Sequence, residues 1–144
     1  MPPAVSLSVV NRVGRLIEVR VVPPVTMDQA TGFMMDIVRL ISAHSGKIVA
    51  CTDLRAGTRT IDPDSIDFIA GIIRSENPRL ERNALIVSSL APTFTLQMER
   101  MVKATGAGAA RRVFKTRGEA EAWLGEVLTD AEKARLRQFL DEQK

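Results

Sequence analysis

The chain has 144 residues, a formal net charge of +3, one cysteine and one histidine. A domain of that length buries about two-thirds of its unfolded surface, so it folds without metal or disulfide, and the lone Cys51 excludes an internal disulfide. One histidine without a Cys/His cluster argues against zinc, no apolar stretch approaches the length of a membrane span, and scattered arginines with few aromatics between them argue against nucleic acid.

Residues 1–5 read as a loose tail. They lack the basic-then-apolar order of a signal peptide, so a cytoplasmic protein is expected. Leu7-Ser-Val-Val10 and Leu16-Ile-Glu-Val-Arg-Val-Val22 are rich in β-formers, and Asn11-Arg-Val-Gly14 between them supplies a turn. This pattern predicts an antiparallel hairpin. Pro23-Pro24 ends its second strand, since proline cannot donate to a ladder. Thr26-Met-Asp-Gln29 matches a capping box, and the apolar residues Ala30, Phe33, Met34, Ile37, Val38 and Ile41 recur at helical spacing. Ser45-Gly46 closes that helix, with His44 in its last turn and no catalytic partner in view.

Lys47-Ile-Val-Ala-Cys-Thr-Asp-Leu54 reads as a buried parallel strand, and the chain is organised around it. After a loop from Arg55 to Ile61, Asp62-Pro63 opens a helix, an oxygen-bearing N-cap followed by proline at the first helical position. Ile66, Ile69, Ala70 and Ile73 form its core stripe. Phe68 and Ile72 fall off that stripe and form a second apolar patch, either a widened buried face or a partner surface. Glu76 to Asn83 reads as a polar connection, and Ala84 to Leu90 as a second buried strand. Pro92 opens a helix with Phe94, Met98, Met101 and Val102 on one side, ending at Thr105-Gly106. Gly106 to Ala110 precedes a strand instead of a helix, the wrong order for cradling phosphate. Arg111-Arg-Val-Phe-Lys115 is the last strand. Thr116-Arg-Gly-Glu119 and Thr129-Asp-Ala-Glu132 are two further capping boxes, the first opening a helix that turns Ala120, Trp123, Leu124 and Val127 inward.

Strands alternating with helices predict an α/β fold, a mixed, mainly parallel five-stranded sheet with flanking helices. The division expected is an α/β domain over 1–128 and a helical extension over 129–144. In that extension Leu136, Phe139 and Leu140 form a stripe on a helix too short to stand alone in water. It either docks on its own subunit or meets a second molecule, and a homodimer is the favoured expectation.

The element order resembles one family, with Ile48-Val-Ala-Cys-Thr-Asp-Leu54 in the middle and Arg112-Val-Phe-Lys-Thr-Arg-Gly-Glu-Ala-Glu-Ala-Trp-Leu124 near the end. It is similar to the STAS fold (sulfate transporter and anti-sigma-factor antagonist), especially small bacterial SpoIIAA-like proteins. The resemblance covers about residues 6 to 128 and rests on element order more than on any single motif. It implies a regulatory, non-enzymatic module that binds a protein partner through loop 55–62 and the following helix, with Arg55, Arg59, Asp62, Ser65, Phe68 and Ile72 as the partner-binding residues. Antagonists of this family carry a phosphorylatable serine at that helix start, within an Asp-Ser-Ser-Gly type sequence. Here Asp62-Pro63 stands there, and Ser65 is displaced into the first turn.

Enzyme chemistry has little support. Cys51 lies in a run of buried type, where a thiol is inert packing. Asp62 and Asp64 are explained by the preference of acids for helix N-termini. No cofactor is expected. The alternative function is a carrier or sensor of a small apolar, lipid-like ligand held between sheet and helices. A closed apolar cavity larger than about 300 Å³ would favour it, and an exposed Phe68/Ile72 patch without an internal cavity would favour the interaction module.

Overall fold

The structure is a computed structural model that describes residues 7–142. The expected tail over residues 1–5 lies outside the described residues. Five strands form one sheet in chain order: β1 (Leu7–Val13), β2 (Leu16–Val21), β3 (Ile48–Leu54), β4 (Leu80–Val87) and β5 (Arg111–Phe114). β1 and β2 pair antiparallel, and every later neighbour pairs parallel. The expected mixed α/β sheet is therefore present.

The hairpin between β1 and β2 turns at Gly14, whose φ of +54° favours glycine. Asn11 secures it by donating from Nδ2 to the carbonyls of Gly14 and Leu16 at 3.0 and 2.8 Å. Helix α1 (Met27–Ser42) starts with the expected capping box: Gln29 N–H donates to the Thr26 hydroxyl, and Thr26 N–H to the Gln29 side chain. His44 lies just past this helix, its Nε2 3.1 Å from Asn11 Oδ1.

Helices α2 (Pro63–Ser75) and α3 (Pro92–Thr105) follow β3 and β4. With α1 they cover one face of the sheet, burying Ile17, Val19, Ala50, Leu54, Leu85, Phe94 and Met98 in a single cluster. Helix α4 (Arg117–Gly125) and helix α5 (Asp130–Asp141) cover the other face, over Leu16, Val49, Cys51, Ala84 and Ile86. The alternation of β side chains decides this division, since neighbours such as Ala50 and Cys51 point to opposite faces. In the expected strands and helix stripes, Ile48, Val49, Ile69, Ile86, Val87, Met98 and Trp123 are buried, and Val113 is half-buried because β5 is an edge strand.

The bounds of β4 differ from the sequence reading at both ends. The strand begins at Leu80, so residues 80–83 are strand and not a polar connection. Parallel pairing extends to them through Leu80 with Ile48 and Arg82 with Val49. Their polar side chains find partners across the fold: Arg82 donates to the Trp123 carbonyl at 2.6 Å, and Glu81 pairs with Arg15. The strand ends at Val87, leaving Leu90 90% exposed.

Of the two expected destinations for α5, the single chain shows its own sheet. Leu136, Phe139 and Leu140 are 1, 2 and 0% exposed within the single chain, packed with Trp123 and Leu124 of α4. The stripe on which a homodimer was expected is consumed on its own subunit. Polar bonds hold the helix there as well. Arg135 forms a fork to the buried Glu18 carboxylate with both contacts at 2.8 Å. Glu132 accepts from the backbone N–H of Thr129 and Arg15, each at 2.8 Å.

Candidate functional site

Asp53 lies at the C-terminal end of β3, 1% exposed. Its carboxylate accepts from the Arg55 backbone N–H at 3.1 Å, from Arg55 Nε at 2.9 Å and from Arg20 at 3.4 Å. A buried carboxylate is stable only when compensated in this way. Arg55 also donates to the Leu140 carbonyl at 2.7 Å, so it ties the start of the loop to the end of α5. The guanidinium expected to meet a partner is thus engaged inside the fold.

The loop then crosses Gly57, which packs against the buried Phe94: a Cβ there would lie 2.5 Å from the ring. Thr58, Arg59 and Thr60 are exposed, whereas Ile61 turns back into the core. Gln97 of α3 grips Ile61 on both sides, accepting from its N–H at 2.8 Å and donating to its carbonyl at 2.5 Å. The loop is therefore pinned at both ends and presents Arg59 outward.

Asp62 caps α2, accepting from Ser65 N–H at 3.0 Å. That bond holds its carboxyl below the usual range. Ser65 is fully buried, and its hydroxyl has no partner among the described residues. A kinase cannot reach it without opening the first turn of the helix. Phe68 and Ile72 are half-buried and pack on the same core as Ile69, so they widen the buried face of α2 and keep only an edge in solvent.

Beside these residues lies a groove the sequence did not announce. It runs between α2 and α3 with a volume of about 720 Å³. Thr60, Asp62, Ile66 and Asp67 form one wall, and Leu96, Gln97 and Arg100 belong to the other. Leu96 is 47% exposed. One wall is acidic and the other carries an arginine over an apolar floor. Arg59, Asp62 and Ser65 thus lie near this groove in sequence, while only Asp62 lines it. Leu96 and Arg100 were legible only as the outer face of an amphipathic helix.

Beneath α1, α2 and α3 lies an apolar cavity of about 90 Å³ on the sheet, lined by residues such as Ile17, Phe33, Ile69 and Leu85. It falls below the roughly 300 Å³ at which pockets for drug-sized ligands begin, too small for a lipid-like ligand. Cys51 lies on the opposite face, and burial, assisted by Asp53, pushes its thiol pKa far up, so it carries no thiolate reactivity at neutral pH. Among the described residues, no cluster of three or more His, Cys, Asp or Glu side chains could hold a metal ion, and no helix is long and apolar enough to cross a membrane. The chain matches no family model, no curated protein and no solved structure.

Proposed function

We propose that the protein is a non-enzymatic regulatory module that docks a segment of a protein partner in the groove between α2 and α3, beside loop 55–62. One observation carries this reading. The open groove of about 720 Å³ abuts the loop that follows the central strand, whereas the internal cavity reaches only about 90 Å³. Loops at the C-terminal ends of parallel strands are where open α/β sheets gather function. Exposed Leu96 offers an apolar anchor, and Asp62, Asp67 and Arg100 offer charges that fix the direction of a bound segment. The reading agrees with the resemblance to anti-sigma-factor antagonists of the bacterial cytoplasm, but without their serine switch. A permanent carboxylate, Asp62, occupies the helix start, and the nearest serine is buried.

The test is affinity purification of the tagged full chain from its native cell, compared with the Leu96→Asp and Arg100→Glu variants. A specific protein retained by the wild type and lost from both variants, with unchanged circular dichroism, supports the proposal. Retention of the same protein by both variants refutes the groove as the docking site.

A further inference from the structure

Arg111 opens β5 on the face covered by α1, α2 and α3, and it is 4% exposed. One of its terminal nitrogens donates to Asn77 Oδ1 and to the Thr105 hydroxyl, both at 2.9 Å. These acceptors are neutral. Its Nε is buried and has no hydrogen-bond partner among the described residues. No carboxylate among the described residues compensates it either, and burial alone draws its pKa down to about 10. At neutral pH the guanidinium is still charged.

A buried, uncompensated cation is expensive, and native structures rarely keep one without an ion or ligand. The surroundings of Arg111 indicate what that ligand is. Its side chain lines the apolar cavity of about 90 Å³. Its neighbour in register is Asn83 of β4, 7% exposed and lining the same cavity. The Thr52 hydroxyl donates to Asn83 Oδ1 at 3.1 Å, so the oxygen is engaged and the amide nitrogen is the group left to donate. The Arg111 Nε–H, which lacks an acceptor among the described residues, and the Asn83 amide therefore share the cavity with Ile17, Ile69 and Leu85. Glu76, half-buried, is the other ionisable side chain of the lining, and no ion pair joins it to Arg111.

We propose that this cavity binds a short-chain carboxylate, its anionic head on Arg111 and Asn83 and its alkyl part against the sheet and α2. Water could satisfy the hydrogen bonds but would leave the charge uncompensated. An inorganic anion would meet the charge but leave the apolar lining bare. An apolar cavity of about 150 Å³ accommodates benzene, so the smaller space here suits a chain of about two to four carbons. The proposal goes beyond the partner groove, which lies on the outer side of α2 and α3, and each can fail without the other.

The experiment titrates the isotope-labelled full chain with acetate, propionate, butyrate and hexanoate. It follows the Arg111 Nε–H and Asn83 side-chain amide signals by NMR. Propionamide serves as the uncharged match for propionate, and chloride as the inorganic control. The expected result is saturable shifts at both side chains with propionate, and at least tenfold weaker binding of propionamide, of hexanoate and of chloride. Arg111→Met should abolish propionate binding and Glu76→Gln should preserve it. If Arg111→Met fails to fold, Asn83→Leu and the wild-type titrations still decide. No saturable shift with any carboxylate would overturn the proposal, leaving water as the occupant. So would equal affinity for propionamide, or an Arg111 Nε–H signal that moves on Glu76→Gln alone, which would identify Glu76 as the counter-charge.

Discussion

The docking of α5 on its own subunit can be tested through Phe139 and Leu140. Both are essentially buried, at 2 and 0% exposure, in the cluster that holds Trp123 and Leu128. Phe139 also lies under the Arg20 guanidinium, 4.4 Å from its ring centroid. Truncating a buried phenylalanine to alanine costs about 3–5 kcal/mol, and a buried leucine about 2–5 kcal/mol, through lost transfer energy and the cavity left behind. The residues are adjacent in sequence, so their effects will not simply add. A domain of this size has only about 5–15 kcal/mol of stability in total. Phe139→Ala should therefore remain folded with a much lower urea midpoint, and the double variant should be marginal or unfolded at room temperature. Trp123 is the single tryptophan of the chain, and it borders the same cluster, so its fluorescence reports the transition directly. The midpoints should not depend on protein concentration over a hundredfold range, because the contact is intramolecular. A loss below about 1 kcal/mol in Phe139→Ala, or a midpoint that rises with concentration, would refute the docking of this helix in cis.

Glu132 carries a pH dependence. Burial acts to raise its pKa, but the N–H groups of Thr129 and Arg15 and the charge of Arg15 outweigh it, and the net shift is downward. A carboxylate depressed in the folded state contributes stability above its unfolded value, near about 4.3, and loses it as pH falls through the folded value. Stability should therefore decline below that range, and Glu132→Gln should flatten the acid limb of a urea-midpoint profile. An unchanged limb in the variant would count against this account. Gly57→Ala should cost about 1–3 kcal/mol, because its Cβ meets the buried Phe94 ring and the Leu54 carbonyl; thermal denaturation measures it, and a neutral result would show that the ring yields. Ser65→Ala should leave stability equal or raise it by about 1 kcal/mol, since it removes a buried hydroxyl without a partner. Mass spectrometry of protein from native cells should find Ser65 unmodified, and stoichiometric phosphate there would overturn the reading of Asp62 as a permanent substitute.

Local chemistry is legible in the amino-acid sequence by itself. The capping boxes at Thr26 and Thr129 involve residues three apart, so short-range geometry alone specifies them, and both form. Asp62-Pro63 behaves in the same way. At Thr116 the hydroxyl meets the Glu119 backbone and carboxylate, a partial version of the box expected there. Alternation of apolar strands with amphipathic helices is enough to predict the five-stranded mixed sheet, because burial on both faces requires helices to cover them.

What tertiary contact decided is where polar residues enter that pattern. Leu80 to Asn83 reads as loop because Glu81, Arg82 and Asn83 lower its apolar content. It becomes strand because β3 supplies a ladder, and Arg15, Trp123 and Thr52 supply side-chain partners from distant segments. The destination of the α5 stripe was likewise open, since periodicity defines an apolar face but not the surface it meets. Glu18 on the second sheet face holds Arg135 in the middle of the helix, and Asp53 holds Arg20 and Arg55 against its C-terminal end. Arg55 was an expected contact for a partner and is instead part of that clasp. In the sequence Arg111 is one of four basic residues between positions 111 and 117. Only the pairing of β5 with β4 places it beside Asn83, against an apolar cavity and without an ion-pair partner among the described residues, because strand register determines which side chains share a face.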